Sequence, residues 1–339
     1  MDAEMIKIKK VAVIGSNSFT GAHFVNYVLE NTDAEVLGIS RSPEYSSLFL
    51  PYLYKKKRPE RFHFHQLDVW NDFDKIISLF DKEKPEVVVN YAAQGEVRNS
   101  WNWPEQWFQT NCLAVVKLAN ALKDKDYIKR YVSISTPEVY GSTEKNMKEN
   151  FNFKPSTPYA ASKLAGDLFL MTLFKKYNFP VVMTRSANVY GIHQQLYRII
   201  PRTIIYLKLG KKIQLHNQGK TIRSFVHVRD VADGAWRAIT QGKNGNAYHL
   251  ALQDEEITIK ELVKMICEMM NHDFKQSTEM VKENFGQDEM YSLDSGKARK
   301  ELGWKPRITL KEGIKEMIKW VDDNWEEIQK QPLEYIHKA

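Results

Sequence analysis

Short apolar runs alternate with amphipathic segments along the first half of the chain, and this alternation constrains the fold more than any other feature. The apolar runs predict buried strands at Val11–Ile14, Glu35–Ile39, Phe62–Leu67, Glu86–Asn90, Arg130–Ile134 and Val181–Arg185. Segments with helical spacing lie between them, at Phe19–Glu30, Phe73–Lys82, Glu105–Lys123 and Pro158–Tyr177. Strands that alternate with helices over short connections are typical of a doubly wound α/β fold with a parallel sheet, the Rossmann type.

The alternation weakens after about residue 185, which indicates a second part of the chain. Residues 1–184 are predicted to form a dinucleotide-binding Rossmann domain, with 224–250 returning to it. Residues 185–339 are predicted to form mainly a smaller substrate-binding domain, with helices at Ile259–Asn271 and Leu310–Asn324. Because such sheets bind ligands at the carboxyl ends of their strands, we expect a cleft there.

Charge and cysteine content restrict the partners and the compartment. The net charge is +7, but the lysines are spread along the chain, and the densest basic run, Lys55–Arg58, is interpreted as a solvated loop, so no nucleic-acid partner is expected. Cys112 and Cys267 show neither disulfide nor metal-ligand spacing, which favours a reducing compartment and no metal. The apolar stretch Tyr197–Leu209 is too short and too charged to span a bilayer. We therefore expect a cytoplasmic protein without membrane contact.

The first predicted strand ends in a turn that is typical of dinucleotide binding. This turn, Gly15–Gly21, has a glycine at each end and a serine in place of the middle glycine. Its candidate cofactor-binding residues are Gly15, Ser18, Phe19, Thr20 and Gly21. Glycines permit a tight bend and close approach to a diphosphate, and the next helix N-terminus favours negative charge. An ordinary strand–helix turn remains the alternative on this loop alone.

Residues after the next three strands support a dinucleotide. Asp68 and Val69 follow the third strand, where a side chain can meet an adenine edge, and the small residues Ala92 and Ala93, followed by Gln94, succeed the fourth. The second strand ends in Ser40 and Arg41 without an acid. An acid there would bind a ribose 2′-hydroxyl, whereas an arginine suits a 2′-phosphate, so NADP is favoured over NAD. A plain surface arginine is the alternative.

A tyrosine and a lysine four residues apart are the strongest chemical signal. Tyr159 and Lys163 lie on one face of a predicted helix. An ammonium beside a phenol favours the phenolate, so we expect Lys163 to lower the pKa of Tyr159 and make it a general base. The fifth strand leads into Thr136 and Glu138, a hydroxyl and a carboxylate at a ligand-facing edge of the sheet. The predicted catalytic residues are therefore Thr136, Glu138, Tyr159 and Lys163.

Several motifs in the same order resemble the extended short-chain dehydrogenases/reductases, in the group of nucleotide-sugar epimerases, dehydratases and decarboxylases. The resemblance covers nearly the whole chain and rests on Gly15–Gly21, Asn90–Gln94, Thr110-Asn111, Ser135–Gly141, Tyr159 with Lys163, Arg185–Gly191, Arg223–Asp230 and Leu302–Pro306. Thr136-Pro137-Glu138 is most similar to the corresponding triplet of the nucleoside-diphosphate-hexose 4,6-dehydratases, of the dTDP-glucose or GDP-mannose type.

The resemblance implies a mechanism and a set of residue roles. Tyr159 would take the proton of the sugar 4-hydroxyl, which Thr136 binds, Glu138 would remove the C5 proton, and Lys163 would hold the nicotinamide ribose. Water would leave from C6, hydride would return there, and the tightly bound cofactor would be regenerated in each turnover. Such a lyase would serve the synthesis of polysaccharides or other deoxysugar products, and relatives suggest a homodimer formed through Glu105–Lys123 and Pro158–Tyr177.

The resemblance also implies where a nucleotide-diphosphate sugar binds. The implied substrate-binding residues are Gln94, Thr136, Asn188, Arg198 and Arg223. Arg223 would bind the diphosphate, and because Asn284 replaces a second arginine of the family, Arg198 or Lys208 would assist it.

Two departures leave alternatives open. Pro137 stands where other dehydratases carry an acid, so Glu138 or a water would protonate the leaving hydroxyl, unless the chemistry differs. Gln94–Trp101 matches neither the glucose-type nor the mannose-type pattern, which leaves the sugar open. An epimerase, or a decarboxylase with Arg98 as the cation for a uronic acid, is the alternative on the same fold. A non-catalytic dinucleotide-binding regulator is the alternative of another class, against which the intact Tyr159 and Lys163 argue.

Overall fold

A seven-stranded sheet forms the centre of the molecule. The computed structural model describes residues 8–281 and 288–338. The strands of this sheet are β1 Lys10–Ile14, β2 Glu35–Ser40, β3 Phe62–Gln66, β4 Val87–Asn90, β5 Arg130–Ile134, β6 Val181–Ser186 and β10 Asn246–Leu250. Their order is β3-β2-β1-β4-β5-β6-β10, and every neighbouring pair is parallel. The predicted strands agree with the structure to within one or two residues. The buried strands read as continuous apolar runs, whereas the edge strand β3 alternates apolar and polar residues.

Helices cover both faces of this sheet. They are α1 Phe19–Asn31, α2 Phe73–Glu83, α3 Pro104–Phe108, α4 Ala114–Leu122, α5 Pro158–Tyr177 and α7 Val228–Gln241. Side chains from α1 and α7 share one apolar core with β1, β2 and β4, whereas α2, α4 and α5 share another with the opposite face. The fold is therefore the doubly wound α/β fold expected from the sequence.

The predicted helix Glu105–Lys123 is interrupted. Residues Gln109–Leu113 form a π-helical turn between α3 and α4. A π turn inserted into an α-helix is frequent at functional sites. Here it carries Asn111, which is buried and hydrogen-bonded to both the loop after β4 and helix α5.

The second half of the chain adds a smaller unit with two small sheets. One contains β7 Asn188–Tyr190, β9 Ile222–His227, β11 Glu256–Thr258 and β13 Met290–Tyr291, and the other pairs β8 Ile213–His216 with β12 Thr278–Val281. The helices are α6 Ile199–Lys208, α8 Ile259–Met269, α9 Phe274–Ser277, α10 Gly296–Leu302, α11 Leu310–Asp323 and α12 Trp325–Ile328. Helices α6, α8 and α11 share an apolar core. The chain rejoins the large sheet through α7 and β10, directly after β9.

Two helices of this unit start where the sequence predicts them. Thr258 accepts a hydrogen bond from the backbone N–H of Glu261, whose carboxylate accepts from the N–H of Thr258, and Thr309 and Glu312 form the same reciprocal pair. Such capping boxes satisfy N–H groups that have no partner within the helix. They fix the first turns of α8 and α11, the helices predicted at Ile259–Asn271 and Leu310–Asn324.

Other expectations concern the surface and possible metal or membrane sites. The basic run Lys55–Arg58 is exposed in a turn, where Arg58 pairs with Glu44 and Lys56 with Glu30. Among residues 8–281 and 288–338, no group of three or more histidine, cysteine, aspartate or glutamate side chains is placed to hold a metal ion. The same residues contain no helix that combines the length and apolar character needed to cross a bilayer.

Candidate active site

A deep cleft lies between the large sheet and the smaller unit. Its volume is about 1500 Å³, which exceeds the roughly 300–1,000 Å³ usual for one small ligand, so it has room for two. Its lining includes most predicted site residues: Gly15, Ser18, Phe19, Thr20, Ser40, Arg41, Asp68, Val69, Ala92, Ala93, Gln94, Thr136, Glu138, Tyr159, Asn188, Arg198 and Arg223. Two predicted residues, Gly21 and Lys163, lie behind this lining.

The glycine turn after β1 is shaped by backbone contacts. Gly15 has a φ of +83°, and a Cβ there would lie 2.6 Å from the backbone nitrogen of Ala92. A Cβ at Gly21 would lie 2.3 Å from the carbonyl oxygen of Gly15. Ser18 caps α1, because its Oγ accepts from the N–H of Gly21 at 3.1 Å and donates to the carbonyl of Gly15 at 2.7 Å. The N-terminus of α1 therefore meets the cleft beside a backbone-lined turn, an arrangement that fits a diphosphate.

The edge of the cleft after β2 and β3 is polar. Ser40 is buried and accepts a hydrogen bond from the backbone N–H of Asn17 at 3.0 Å, whereas Arg41 is exposed at the rim. Asp68 caps its own turn, because one carboxylate oxygen accepts from the N–H groups of Trp70 and Asn71 at 2.8 Å. This use of the Asp68 carboxylate was not expected from the sequence, although the residue does line the cleft.

A short 3-10 turn after β5 carries Glu138, the predicted base for the C5 proton. Thr136 caps this turn, Pro137–Tyr140, and its Oγ1 accepts from the N–H of Glu138 at 3.2 Å. Pro137 occupies the first position of the turn, where the missing N–H has no cost. Tyr159 lies in the first turn of α5, within hydrogen-bonding reach of Thr136. The structure therefore brings Thr136, Glu138 and Tyr159 together.

Lys163 is buried one helical turn beyond Tyr159. Its Nζ donates to the carbonyl of Ile134 at 2.7 Å, which connects α5 to the end of β5. Asn111 makes a second connection, because its amide donates to the Ser162 hydroxyl and to the Gln94 carbonyl, both at 3.0 Å. The loop carrying Gln94 is thus fixed relative to the helix that carries the tyrosine and the lysine.

The electrostatic environment of Tyr159 differs from expectation. Burial, and next the charge of Glu138, raise the pKa of Tyr159 above its usual value, whereas Lys163 was expected to lower it. Lys163 is itself buried, which lowers the pKa of its ammonium group, and it donates to the Ile134 carbonyl. Burial also raises the pKa of Glu138 to about 7, despite the opposing charges of Arg223 and Arg198. A carboxyl with this pKa exchanges protons readily near neutral pH.

A buried ion pair supports both sides of the catalytic turn. Arg185 and Asp167 pair at 3.0 Å with side chains 3% and 2% exposed. Ser135 donates to Asp167 at 2.5 Å, and Arg185 donates to the Tyr140 hydroxyl at 2.6 Å. Ser135 precedes and Tyr140 ends the segment that carries Thr136 and Glu138. Sequence reasoning missed this ion pair, although the four-residue spacing from Lys163 to Asp167 continues that from Tyr159.

The opposite wall of the cleft carries the predicted diphosphate-binding cations. Arg223 is buried, and its guanidinium carbon lies 4.4 Å from the centroid of the Tyr291 ring. Its terminal nitrogens donate hydrogen bonds to the backbone carbonyls of Ile222, Asp288 and Glu289. Arg198 precedes α6 and contributes positive charge at Glu138 and Tyr159. Tyr291 is a further lining residue that sequence reasoning did not find.

The other residues suggested as substrate contacts do not all line the cleft. Lys208 does not line the cleft but pairs with Asp322, so the suggestion that it assists the diphosphate is wrong. Asn188 in β7 and Arg98, the alternative cation of a decarboxylase, both line it. Asn284 lies outside the described residues.

Comparison with known proteins agrees with this geometry. The family described as GDP-mannose 4,6 dehydratase matches residues 13–317. The chain is 30% identical to a human dTDP-D-glucose 4,6-dehydratase over 332 residues, 95% of this chain and 93% of the relative. It is 29% identical to a dTDP-glucose 4,6-dehydratase of Haemophilus influenzae over 331 residues, 91% and 97% of the two chains.

Solved structures show the same architecture. A dTDP-glucose 4,6-dehydratase from Streptomyces venezuelae with NAD bound superposes with a TM-score of 0.84 at 27% identity, covering 94% of this chain and 98% of that one. A UDP-glucuronic acid 4-epimerase from Bacillus cereus, 24% identical with a TM-score of 0.84 over 93% and 99% of the chains, shares the fold.

The doubly wound sheet, the glycine turn and the Tyr159/Lys163 pair define an extended short-chain dehydrogenase/reductase with a nicotinamide dinucleotide cofactor. Within that class, the chain belongs to the GDP-mannose 4,6-dehydratase family.

Proposed function

We propose that the protein is a nucleotide-sugar 4,6-dehydratase. The observation that carries this proposal is the position of Glu138, a partly buried carboxyl that meets Thr136 and Tyr159 in one cleft. An oxidation at C4 needs only a base at the 4-hydroxyl, whereas elimination of water across C5 and C6 needs a second base. The cleft provides both, and the named relatives are dehydratases.

Two side chains divide the proton transfers of the proposed reaction. A nicotinamide dinucleotide held at the glycine turn Gly15–Gly21 and beside Gln94 would supply the redox chemistry, taking hydride from C4 and giving it back at C6. The positive charge of an oxidised nicotinamide would oppose the raised pKa of Tyr159, so that Tyr159 takes the proton of the 4-hydroxyl while Thr136 holds that oxygen. The resulting 4-ketone makes the C5 proton acidic, and Glu138 removes it as hydroxide leaves C6 with a proton. When hydride is added at C6, C5 takes a proton from solvent, and Tyr159 releases to solvent the proton that it took from the 4-hydroxyl. The sugar loses one water overall, so no external oxidant or reductant is consumed.

The proline beside Glu138 determines how the leaving hydroxyl is protonated. Pro137 has no proton to donate, and it is buried in the turn. We propose that Glu138 transfers the proton it takes from C5 to the C6 hydroxyl. Its pKa of about 7 supports both roles, since an acid–base group is most effective when its pKa lies near the working pH.

Mass spectrometry with a panel of nucleotide sugars tests the function. The purified protein is incubated with each sugar and no added reductant. A product lighter by one water is expected and identifies the substrate. A product of unchanged mass but altered retention would mean epimerisation, loss of carbon dioxide would mean decarboxylation, and either would contradict the proposal. No conversion across the panel would favour the non-catalytic regulator.

The cofactor is proposed to be NADP rather than NAD. Support comes from Arg41 at the cleft rim, next to Ser40 and with no acid at the end of β2. Arg41→Ala is expected to weaken NADPH binding about ten- to hundredfold more than it weakens NADH binding, as for a lost hydrogen bond to a charged group. Arg58→Ala, an exposed arginine outside the cleft, is the matched control. Equal losses for both cofactors, or tighter binding of NADH than NADPH by the native protein, would contradict the preference.

We also propose a homodimer in the cytoplasm. Helices α3 to α5 and the π turn expose the apolar side chains Phe108, Leu113 and Leu168, and the resemblance to the extended short-chain dehydrogenases/reductases implies a dimer through these helices. Leu168→Asp is expected to give monomers in sedimentation experiments, whereas Met280→Asp, at a similarly exposed residue of β12, is not. A monomeric native protein at micromolar concentration would refute the dimer. The free cysteines Cys112 and Cys267 suit a reducing compartment, which cell fractionation tests.

A further inference from the structure

Residues 331–338, called here the strap, run along the mouth of the cleft. Alternate side chains of the strap differ in exposure: Leu333, Tyr335 and His337 are half-buried, whereas Glu334 and Ile336 are exposed. Leu333 packs on the core formed by α6, α8 and α11. The strap therefore packs on the protein through Leu333, while Glu334, Tyr335, Ile336 and Lys338 line the cleft.

One end of the strap is attached to the smaller unit. Glu334 accepts hydrogen bonds from Arg202 at 3.3 Å and from the Tyr206 hydroxyl at 3.1 Å, both on helix α6. Tyr335 meets the ring of Tyr197 edge to face, with centroids 5.4 Å apart. These contacts lie beside Arg198, the predicted substrate-binding arginine.

The other end is attached to the large-sheet side. The His337 ring stacks on Trp103 with centroids 4.5 Å apart and planes 6° apart, and on Trp107 at 5.6 Å and 7°. Its Nε2 lies 2.8 Å from the side-chain oxygen of Gln106. Flat aromatic stacking with a hydrogen bond fixes both the position and the orientation of this ring. The strap thus bridges the two sides of the cleft.

The last contact involves two residues predicted to bind the cofactor. The carbonyl oxygen of Lys338 accepts from Nη2 of Arg41 at 2.8 Å and from Nε2 of Gln94 at 2.9 Å. Arg41 follows β2 and Gln94 follows β4, on either side of β1 and its glycine turn. One backbone carbonyl therefore connects them across the open side of the cofactor half of the cleft.

We propose that the strap closes over the bound nicotinamide dinucleotide and positions Arg41 and Gln94 against it, so that the cofactor leaves only after His337 detaches. Retention of this kind suits a reaction that regenerates its cofactor in every turnover. The proposal rests on cofactor binding and does not require the reaction to be a dehydration.

Release of reduced cofactor tests the strap directly. Protein loaded with NADPH, and separately with NADH, is mixed with excess oxidised cofactor, and the decay of bound-nucleotide fluorescence gives the release rate without any sugar. His337→Ala, which removes the stacking, is expected to raise the release rate about tenfold. A chain ending at Lys330 is expected to release it faster still. His272→Ala, at an exposed histidine that does not line the cleft, is the matched control and should behave as the native protein does.

Two results would overturn the proposal. Release rates that are unchanged in His337→Ala and in the shortened chain would show that the strap does not retain the cofactor. A faster association with unchanged release would show that the strap competes with the cofactor instead of covering it. The thermal unfolding midpoint of each variant distinguishes faster release from loss of the folded state. His337→Ala removes only a partly exposed ring. If the dehydration assay failed, the release rates would still test the strap, because they are measured without any sugar.

Discussion

The two walls of the cleft are built in different ways. The wall after β5 carries Thr136 and Glu138 between two anchors, Ser135 and Tyr140, that hydrogen-bond to a buried ion pair. The facing wall holds Arg198 at the start of α6, in the smaller unit. The first wall fixes reacting groups with buried charge, and the second offers charge to a ligand. Chemistry and substrate binding should therefore respond to different substitutions.

Removal of the phenol is expected to have the largest effect. Tyr159→Phe deletes the proposed base at the 4-hydroxyl and should lower kcat about 10²–10⁴-fold, with KM little changed. Product formation followed by mass spectrometry gives both constants. Tyr45→Phe, at an exposed tyrosine on the same cleft rim, should leave them unchanged. A comparable loss from Tyr45→Phe, or none from Tyr159→Phe, would remove Tyr159 from the mechanism.

The buried ion pair is expected to contribute to stability far more than a surface pair. Asp167→Asn leaves Arg185 buried without its countercharge and should lower the free energy of unfolding by about 3–5 kcal/mol. The same change at Asp323, whose partner Lys319 is 75% exposed, should cost less than about 1 kcal/mol. Urea unfolding of both variants measures the difference. Similar losses would mean that the two walls do not differ in the way described.

Substitution of Arg198 tests whether the facing wall serves substrate binding. Arg198→Met removes a cation predicted to contact the diphosphate and should raise KM about ten- to hundredfold with kcat little changed. Lys208→Met is the control, because Lys208 pairs with Asp322 outside the cleft. If Arg198→Met lowered kcat and left KM unchanged, the division between the two walls would be wrong.

A further effect is expected on the pH dependence of stability. The pKa of Glu138 is raised from 4.5 to about 7 on folding, so its contribution favours the folded state below pH 4.5 and is lost as pH rises to 7. Glu138→Gln, which stays uncharged, should therefore unfold at a higher temperature than the native protein at pH 8. The two midpoints should converge towards pH 4.5. A difference that does not depend on pH would show that Glu138 has an ordinary pKa.

Local periodicity explains how much of the fold could be predicted from the sequence. The buried strands read as continuous apolar runs, and the capping residues Thr258 and Thr309 mark helix starts. The placement of Tyr159 and Lys163 one turn apart on one helix follows from helical spacing alone. The interruption at Gln109–Leu113 could not be predicted, because the π turn forms where Asn111 contacts other parts of the chain.

Properties of the site that depend on tertiary packing could not be predicted from the sequence. The pKa of Tyr159 was expected to fall, but burial raises it, and burial depends on which elements meet. Asp167 and Arg185 come from α5 and β6, so their contact needs the assembled sheet. Lys208 was suggested to assist diphosphate binding, yet its position on α6 directs it to Asp322 instead of the cleft.

Transfer of a labelled hydrogen tests the proposed mechanism most directly. The nucleotide sugar identified by the panel is prepared with deuterium at C4 and incubated with the protein, and the product is analysed by mass spectrometry and proton NMR. The mechanism predicts a product that has lost one water and carries the deuterium at C6. Deuterium that stays at C4, in a product of unchanged mass, would contradict dehydration and establish an epimerase.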